Sequence, residues 1–190
     1  MKRSEERKQN RFPEWDYSED GYYFITICTQ DKKEIFGKVV NDEMVLNEYG
    51  KIVQEQWDWL AEQYPYVRLD EFIVMPNHFH GILIIEKNID GRDNPRIVPT
   101  NNAYNRRHNL LSKTMNAFKT TSSKRINRSQ KEFVFHWQRS FYDHVIRNEE
   151  SLYKIRSYIH YNAQKWDVDE INPKNRKLGN EKNSLVSVNK

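Results

Sequence analysis

A single cysteine among 190 residues excludes an internal disulfide, and that residue, Cys28, sits in a strand-like apolar run where a buried, inert thiol is expected. Six glycines and six prolines are too few for a collagen-like or low-complexity chain. No apolar run approaches the roughly 20 residues that span a bilayer, and the opening MKRSEERKQNR is too charged to lead into a signal-peptide core. A soluble, cytoplasmic protein with no membrane contact is the expectation. Neither sign of charge dominates: 31 Lys and Arg against 27 Asp and Glu leave +4, with a pI near 9.0. That excess permits contact with phosphates without demanding it.

What the chain does have is aromatic side chains, 5 Trp, 11 Tyr and 9 Phe, far more than a disordered protein carries. Its length suits one domain that hides roughly 70% of the surface its unfolded chain exposes. Residues 1–20 read as a charged arm, 21–169 as a single catalytic domain, and 170–190 as a polar, disordered tail.

The β-branched and aromatic run Tyr22 to Thr29 reads as a buried strand. Phe36 to Leu46, with Asn41-Asp42 at its middle, reads as a small hairpin. Ile52, Val53, Trp57 and Leu60 recur at helical spacing from Asn47 to about Tyr64, closed by Pro65. Phe72–Met75 and Phe79–Ile85 are two strands joined by a bend at Pro76-Asn77. Residues 87–107 have no apolar period and read as a loop; Leu110 to Ile126 forms a helix with a basic face. Phe133 to Ile146 reads as one extended aromatic strand and Glu149 to about Lys165 as a final helix. This order predicts an α+β fold: a ferredoxin-like, RRM-like antiparallel sheet with helices packed on one face and a helix at the C-terminal end.

His78-Phe79-His80 opens a strand, where residues two apart point to the same side, so both imidazoles can converge on one ion. Two histidines alone are more often partly exposed or hydrogen-bonded residues than a metal site, and a third ligand is needed. The run Val74-Met75-Pro76-Asn77-His78-Phe79-His80-Gly81-Ile82 resembles the HUH motif of the REP-associated tyrosine transposases. Further blocks resemble that family in order and spacing: Asp16-Tyr17-Ser18, Tyr23 to Thr29, Phe36-Gly37, Leu46 to Gly50, Trp137 to His144 and Ile155 to Ile159. Together they span about residues 11 to 169.

The resemblance implies a ferredoxin-like fold, a homodimer, and cleavage of single-stranded DNA near imperfect hairpins. It places the nucleophile on the tyrosine that begins a Tyr-Ile-x-x-Asn segment, here Tyr158-Ile159-His160-Tyr161-Asn162. That residue is Tyr158, on the C-terminal helix, which thereby becomes the catalytic one. Tyr158 and Asn162 are four apart and share a helix face, so a phenol and an amide oxygen can approach one ion. His78, His80 and Asn162 would then hold a divalent metal with open positions, suited to Mg²⁺ or Mn²⁺, whereas a closed zinc site more often uses thiolates. Ala163 stands where many relatives have proline, a change that lets the helix continue and moves the ligand. Tyr161 is the rival nucleophile, and His160 falls on another side of the helix.

Lys113, Lys119, Lys124 and Arg125, with Arg106, Arg107 and Arg139, are the candidate phosphate-binding surface, although a solvated helix face has the same composition. Nothing implies a nucleotide cofactor. The leading expectation is metal-dependent cleavage and strand transfer through a 5′-phosphotyrosine. The alternative is a hairpin-binding module without catalysis, which would present Phe24 and Phe79 on an open sheet. A hydrolase using water in place of Tyr158 is the third.

Overall fold

The computed structural model of the protein describes residues 20–86 and 103–175, with backbone alone for 103–109. Its elements in chain order are β1 (Gly21–Cys28), β2 (Gly37–Val40), β3 (Glu43–Leu46), α1 (Glu48–Gln63), β4 (Val67–Val74), β5 (His78–Ile85), α2 (Ala103–Ser129), β6 (Tyr142–Ile146) and α3 (Glu149–His160). Short 3₁₀ segments lie at Gln30–Lys32 and Ala163–Val168.

Alternation along β1 defines the two faces of the sheet. Tyr23, Ile25 and Ile27 are fully buried on one, while Tyr22, Phe24 and Thr26 are half-buried on the other. β1 pairs antiparallel with both β5 and β6, and β4 flanks β5, giving the order β4-β5-β1-β6. Leaving aside the β2–β3 hairpin, the connectivity up to β6 is β-α-β-β-α-β, an α+β arrangement on one antiparallel sheet.

α1 and α2 cover the first face. Val53, Trp57 and Leu60 of α1 and Leu111, Met115 and Phe118 of α2 share a core with Tyr23, Ile25, Phe79 and Leu83. Gly81 permits this close approach, because a Cβ there would lie 2.8 Å from both the Phe79 ring and Trp57. α3 departs from the expectation that the helices share one face. Its Leu152, Ile155 and Ile159 pack on Ile82, Ile146 and Phe24, on the opposite side. The reason lies in β5, all eight of whose residues are buried, so both faces of that strand need a cover.

Local signals place several elements as expected. Asn47 caps α1 by accepting from Tyr49 N and Gly50 N, both at 3.0 Å. Asn41 and Asp42, at φ 51° and 63°, form the β2–β3 turn with the left-handed pair such a hairpin requires. Other expectations are corrected. α2 begins at Ala103, inside the stretch assigned to a loop; the remainder of that stretch, 87–102, lies outside the described residues. The long strand from Phe133 is only the five-residue β6, since the backbone before it is held by α2 side chains. Asn127 bonds both N and O of Phe135, and Lys119 Nζ donates to the carbonyls of Gln138 (2.6 Å) and Arg139 (2.9 Å).

α3 stops at His160 instead of running on to Lys165, and Ala163 starts a 3₁₀ segment without extending the α-helix. Residues 170–175, assigned to the tail, are tied to the domain: Asn172 is fully buried and donates to Trp166 O at 2.8 Å. The charged arm up to residue 19 and the tail from 176 lie outside the described residues. Cys28 forms no disulfide and is partly buried. Among the described residues no helix is long and apolar enough to cross a membrane.

Candidate active site

His78 and His80 open β5 on the α3 side of the sheet, 0% and 2% exposed, with ring centroids 4.5 Å apart. Each is oriented by a partner on its Nδ1. Asn77 Oδ1 lies 2.8 Å from His78 Nδ1, and Thr26 Oγ1 lies 2.8 Å from His80 Nδ1. An amide oxygen only accepts, so His78 carries its proton on Nδ1 and turns a lone pair on Nε2 inward. That Nε2 is buried and has no hydrogen-bond partner.

α3 brings Tyr158 over the pair. Its hydroxyl lies 3.2 Å from His80 Nε2, and its ring meets those of His80 at 5.2 Å and Phe24 at 6.0 Å. Phe24 in turn stacks on His80 at 5.3 Å. α3 is tied to β4 by Arg156, two residues before Tyr158, which forks onto Asp70 with contacts of 2.6 to 3.2 Å. Asp70 stands at the β-bulge of β4, where the pairing with β5 slips between Leu69 and Phe72. Burial of Leu152 and Ile159, worth about 1.5–3 kcal/mol each, attaches the helix. The fork adds a polar tie between α3 and β4.

Asn162 follows the end of α3 and is 1% exposed; its Oδ1 is a second buried acceptor without a partner. Its amide lies against the Tyr158 hydroxyl and opposes the rise in that phenol's pKa that burial, first, and the Asp169 charge, second, produce. Burial pushes the His80 pKa down to about 3. Burial, then the neighbouring His80 and the Lys32 charge, holds His78 well below its ordinary value. Both imidazoles are therefore neutral at pH 7, as metal ligands must be.

Among the described residues no three His, Cys, Asp or Glu side chains cluster closely enough to hold a metal. Asn162 offers an amide oxygen, which lies outside those residue types; His78 Nε2, His80 Nε2 and Asn162 Oδ1 are atoms of the kind a divalent cation would use. Two of these atoms, His78 Nε2 and Asn162 Oδ1, are buried without a hydrogen-bond partner. Tyr161 is 46% exposed and His160 packs edge-on against it, away from the histidine pair.

The candidate phosphate contacts are not gathered at this site. Lys113, Lys119, Lys124 and Arg125 lie on α2, across the sheet from His78 and His80. Lys119 is spent on two backbone carbonyls, and Arg125 pairs with Glu55 at 2.6 Å. Arg106 and Arg107 are on the first turns of α2 and their side chains lie outside the described residues. Arg139 is exposed at the mouth of a cleft with Lys32. Trp137 takes the buried reading, 6% exposed with Nε1 donating to Ser122 Oγ at 2.9 Å.

Thr26, Asn77 and Trp166, whose ring lies 5.9 Å from His78, are site residues that the sequence reading does not single out, and Phe24 is named there only for an open binding sheet. Asn77 is open to detection, since it adjoins the first histidine. The others meet the site only through pairing and packing.

No protein-family model matches the chain. A Haemophilus influenzae protein of uncharacterised function is 33% identical over 167 residues, covering 87% of this chain and 92% of its own length. A second protein of that organism, provisionally named a REP-associated tyrosine transposase, is 26% identical over 82% of this chain and 77% of its own. Among solved structures, a REP-associated tyrosine transposase bound to a REP hairpin shares the fold, with a TM-score of 0.52 and 18% identity. That match covers 85% of this chain and 73% of the other.

Proposed function

Because this chain belongs to the REP-associated tyrosine transposases, we propose that it cuts and rejoins single-stranded DNA at hairpins through a covalent bond between Tyr158 and a 5′-phosphate. The observation that carries this reading is the meeting of the Tyr158 hydroxyl with His80 Nε2 at 3.2 Å, beside two buried acceptors, His78 Nε2 and Asn162 Oδ1, that have no partner. A ligand that satisfies both acceptors beside the phenol would account for them.

His78, His80 and Asn162 would hold Mg²⁺ or Mn²⁺, which when bound supplies positive charge to a non-bridging phosphate oxygen. The chain's own groups do the rest. Asn77 and Thr26 hold the two imidazoles through Nδ1, which leaves both Nε2 atoms for other partners. Phe24 and His80 hold the Tyr158 ring, while its 37% exposure leaves the side chain open to an incoming strand. Burial and the Asp169 charge keep the phenol protonated at neutral pH in the metal-free protein. Its hydroxyl therefore has to be activated at the moment of reaction.

In the cleavage step a bond forms between the Tyr158 oxygen and phosphorus as the bond from phosphorus to the 3′-oxygen breaks. The proton given up by the phenol balances the one gained by the departing 3′-hydroxyl. The product is a 5′-phosphotyrosine, and attack by another 3′-hydroxyl reverses the exchange and joins a new strand. One phosphoester replaces another, so no nucleotide is consumed. By the same family likeness we take the working form to be a homodimer.

The binding-module alternative needs exposed aromatics on the central strands. Phe79 is instead fully buried against Trp57 and Phe118, and Phe24 lies beneath α3. The test is incubation with labelled hairpin-bearing single-stranded DNA and Mg²⁺ or Mn²⁺, run on a denaturing protein gel. The wild type is expected to carry a labelled adduct and Tyr158→Phe none. Cutting that survives in Tyr158→Phe would transfer the role to Tyr161 or to water.

A further inference from the structure

A cleft of about 630 Å³ opens between the Gln30–Lys32 turn and the 136–139 segment, within the roughly 300–1,000 Å³ span of sites that hold small ligands. It adjoins the histidine pair through one residue. The Asn77 side chain donates from Nδ2 to Lys32 O at 3.1 Å and accepts His78 Nδ1 on its Oδ1 at 2.8 Å. We propose that this cleft seats the unpaired DNA strand next to the scissile phosphate, with Lys32 and Arg139 gripping its backbone phosphates. The assignment rests on the function proposed above.

The walls are rigid. Thr29 and Trp137 form a β-bridge, Gln30 N donates to His136 O and Gln138 N to Cys28 O, both at 2.9 Å, and Lys119 pins the carbonyls of Gln138 and Arg139 from behind. The turn itself is strained. Asp31 and Lys32 are consecutive non-glycine residues in the left-handed region, at φ 59° and 54°, a conformation that persists only where neighbours enforce it. Here Asn77 and the Lys32 N bond to Thr29 O, at 3.1 Å, enforce it.

The Lys32 charge acts on His78 and on the Asp169 carboxylate outside the cleft without a salt bridge to either. Among the described residues neither Lys32 nor Arg139 makes an ion pair. Asp31 is the single carboxylate among the cleft residues, so the cations outnumber it by two to one. Gln30, His136 and Gln138 line the same space with groups that can hydrogen-bond base edges. The helix α2 offers no such surface at this position, since it lies beyond the sheet and two of its cations are engaged.

Fluorescence anisotropy of a labelled single-stranded oligonucleotide, a hairpin with an unpaired flank, tests the assignment on the full chain. The parent is Tyr158→Phe, which binds without forming an adduct. It is compared across a salt series with versions that also carry Lys32→Gln or Arg139→Gln, and with Lys51→Gln on the exposed side of α1 as the control. Removing one cation from a phosphate it neutralises should reduce the slope of log affinity against log salt by about 0.7. That reduction is expected for Lys32→Gln and Arg139→Gln and not for Lys51→Gln, and it should vanish when the flank is removed and only the hairpin remains. Parental slopes in both cleft variants, or reductions that persist on the bare hairpin, would overturn the cleft assignment while leaving the transposase reading intact. A parent that does not bind the oligonucleotide at all would bring down that reading first, and the cleft with it.

Discussion

Adding Mn²⁺ should stabilise the folded protein, and the extent follows from the two unpartnered atoms. Each buried acceptor left without a donor costs about 1–3 kcal/mol, so His78 Nε2 and Asn162 Oδ1 together hold back about 2–6 kcal/mol that a bound cation relieves. At a concentration one hundred times its dissociation constant, a ligand that binds only the native state adds about 2.7 kcal/mol. For a domain of this size that raises the melting temperature by about 5–10 °C. The assay is thermal unfolding against Mn²⁺ concentration for wild type, His78→Leu and Tyr158→Phe. His78→Leu deletes one orphaned atom but deprives Asn77 Oδ1 of its Nδ1 partner, so the metal-free melting point should move little while the Mn²⁺ shift disappears. Tyr158→Phe keeps all three donors and frees His80 Nε2 from the hydroxyl at 3.2 Å, so its shift should equal or exceed that of wild type. An equal shift in wild type and His78→Leu would refute the donor set, as would no shift at any Mn²⁺ concentration.

Two further outcomes follow from the surroundings of the site. Asp70→Asn weakens the fork to Arg156; because that pair is partly exposed, the stability loss should stay within about 1 kcal/mol, while single-turnover cleavage should fall by on the order of 100-fold through misplacement of Tyr158 by about 1 Å. An unchanged cleavage rate would show that the fork does not set the helix. The pH dependence of stability should carry the signature of His80. Its pKa is about 3 when folded and 6.5 ordinarily, so the unfolded chain takes the proton first. Nothing is lost above about pH 6.5, and stability falls by up to about 1.4 kcal/mol per pH unit between there and about pH 3. His78, shifted the same way, steepens the loss. The melting-point drop from pH 7 to pH 4 should accordingly be smaller in His80→Gln than in wild type, and equal drops would count against a neutral, buried His80.

The elements that sequence reading places well are those with local causes. Alternation marks β1, Asn47 caps α1, and Asn41-Asp42 turn the hairpin, each within a few residues. The misreadings share a different cause. An aromatic run such as Phe133 to Phe141 looks the same whether its backbone pairs with a strand or is held by Asn127 and Lys119 from a helix. The start of α2 escapes sequence reading because Asn is a weak helix former, and a helix already nucleated by Leu111 and Met115 extends through such residues. Among the basic residues, composition does not distinguish Lys119, engaged with carbonyls, from Arg139, which stands at a cleft.

The sequence by itself determined that His78 and His80 point the same way, because strand side chains repeat every two residues, and it singled out Tyr158 and Asn162 by their spacing and family likeness. Only the tertiary structure decided that α3 lies across the sheet from α1 and α2, which is what sets Tyr158 over His80. It also decided that Thr26 and Asn77 orient the imidazoles, and that Lys32, 45 residues from Asn77 in sequence, joins a cleft to the site through it. Those relations depend on contacts between segments far apart in the chain. Side-chain periodicity carries no information about which distant face will cover a strand that is buried on both sides.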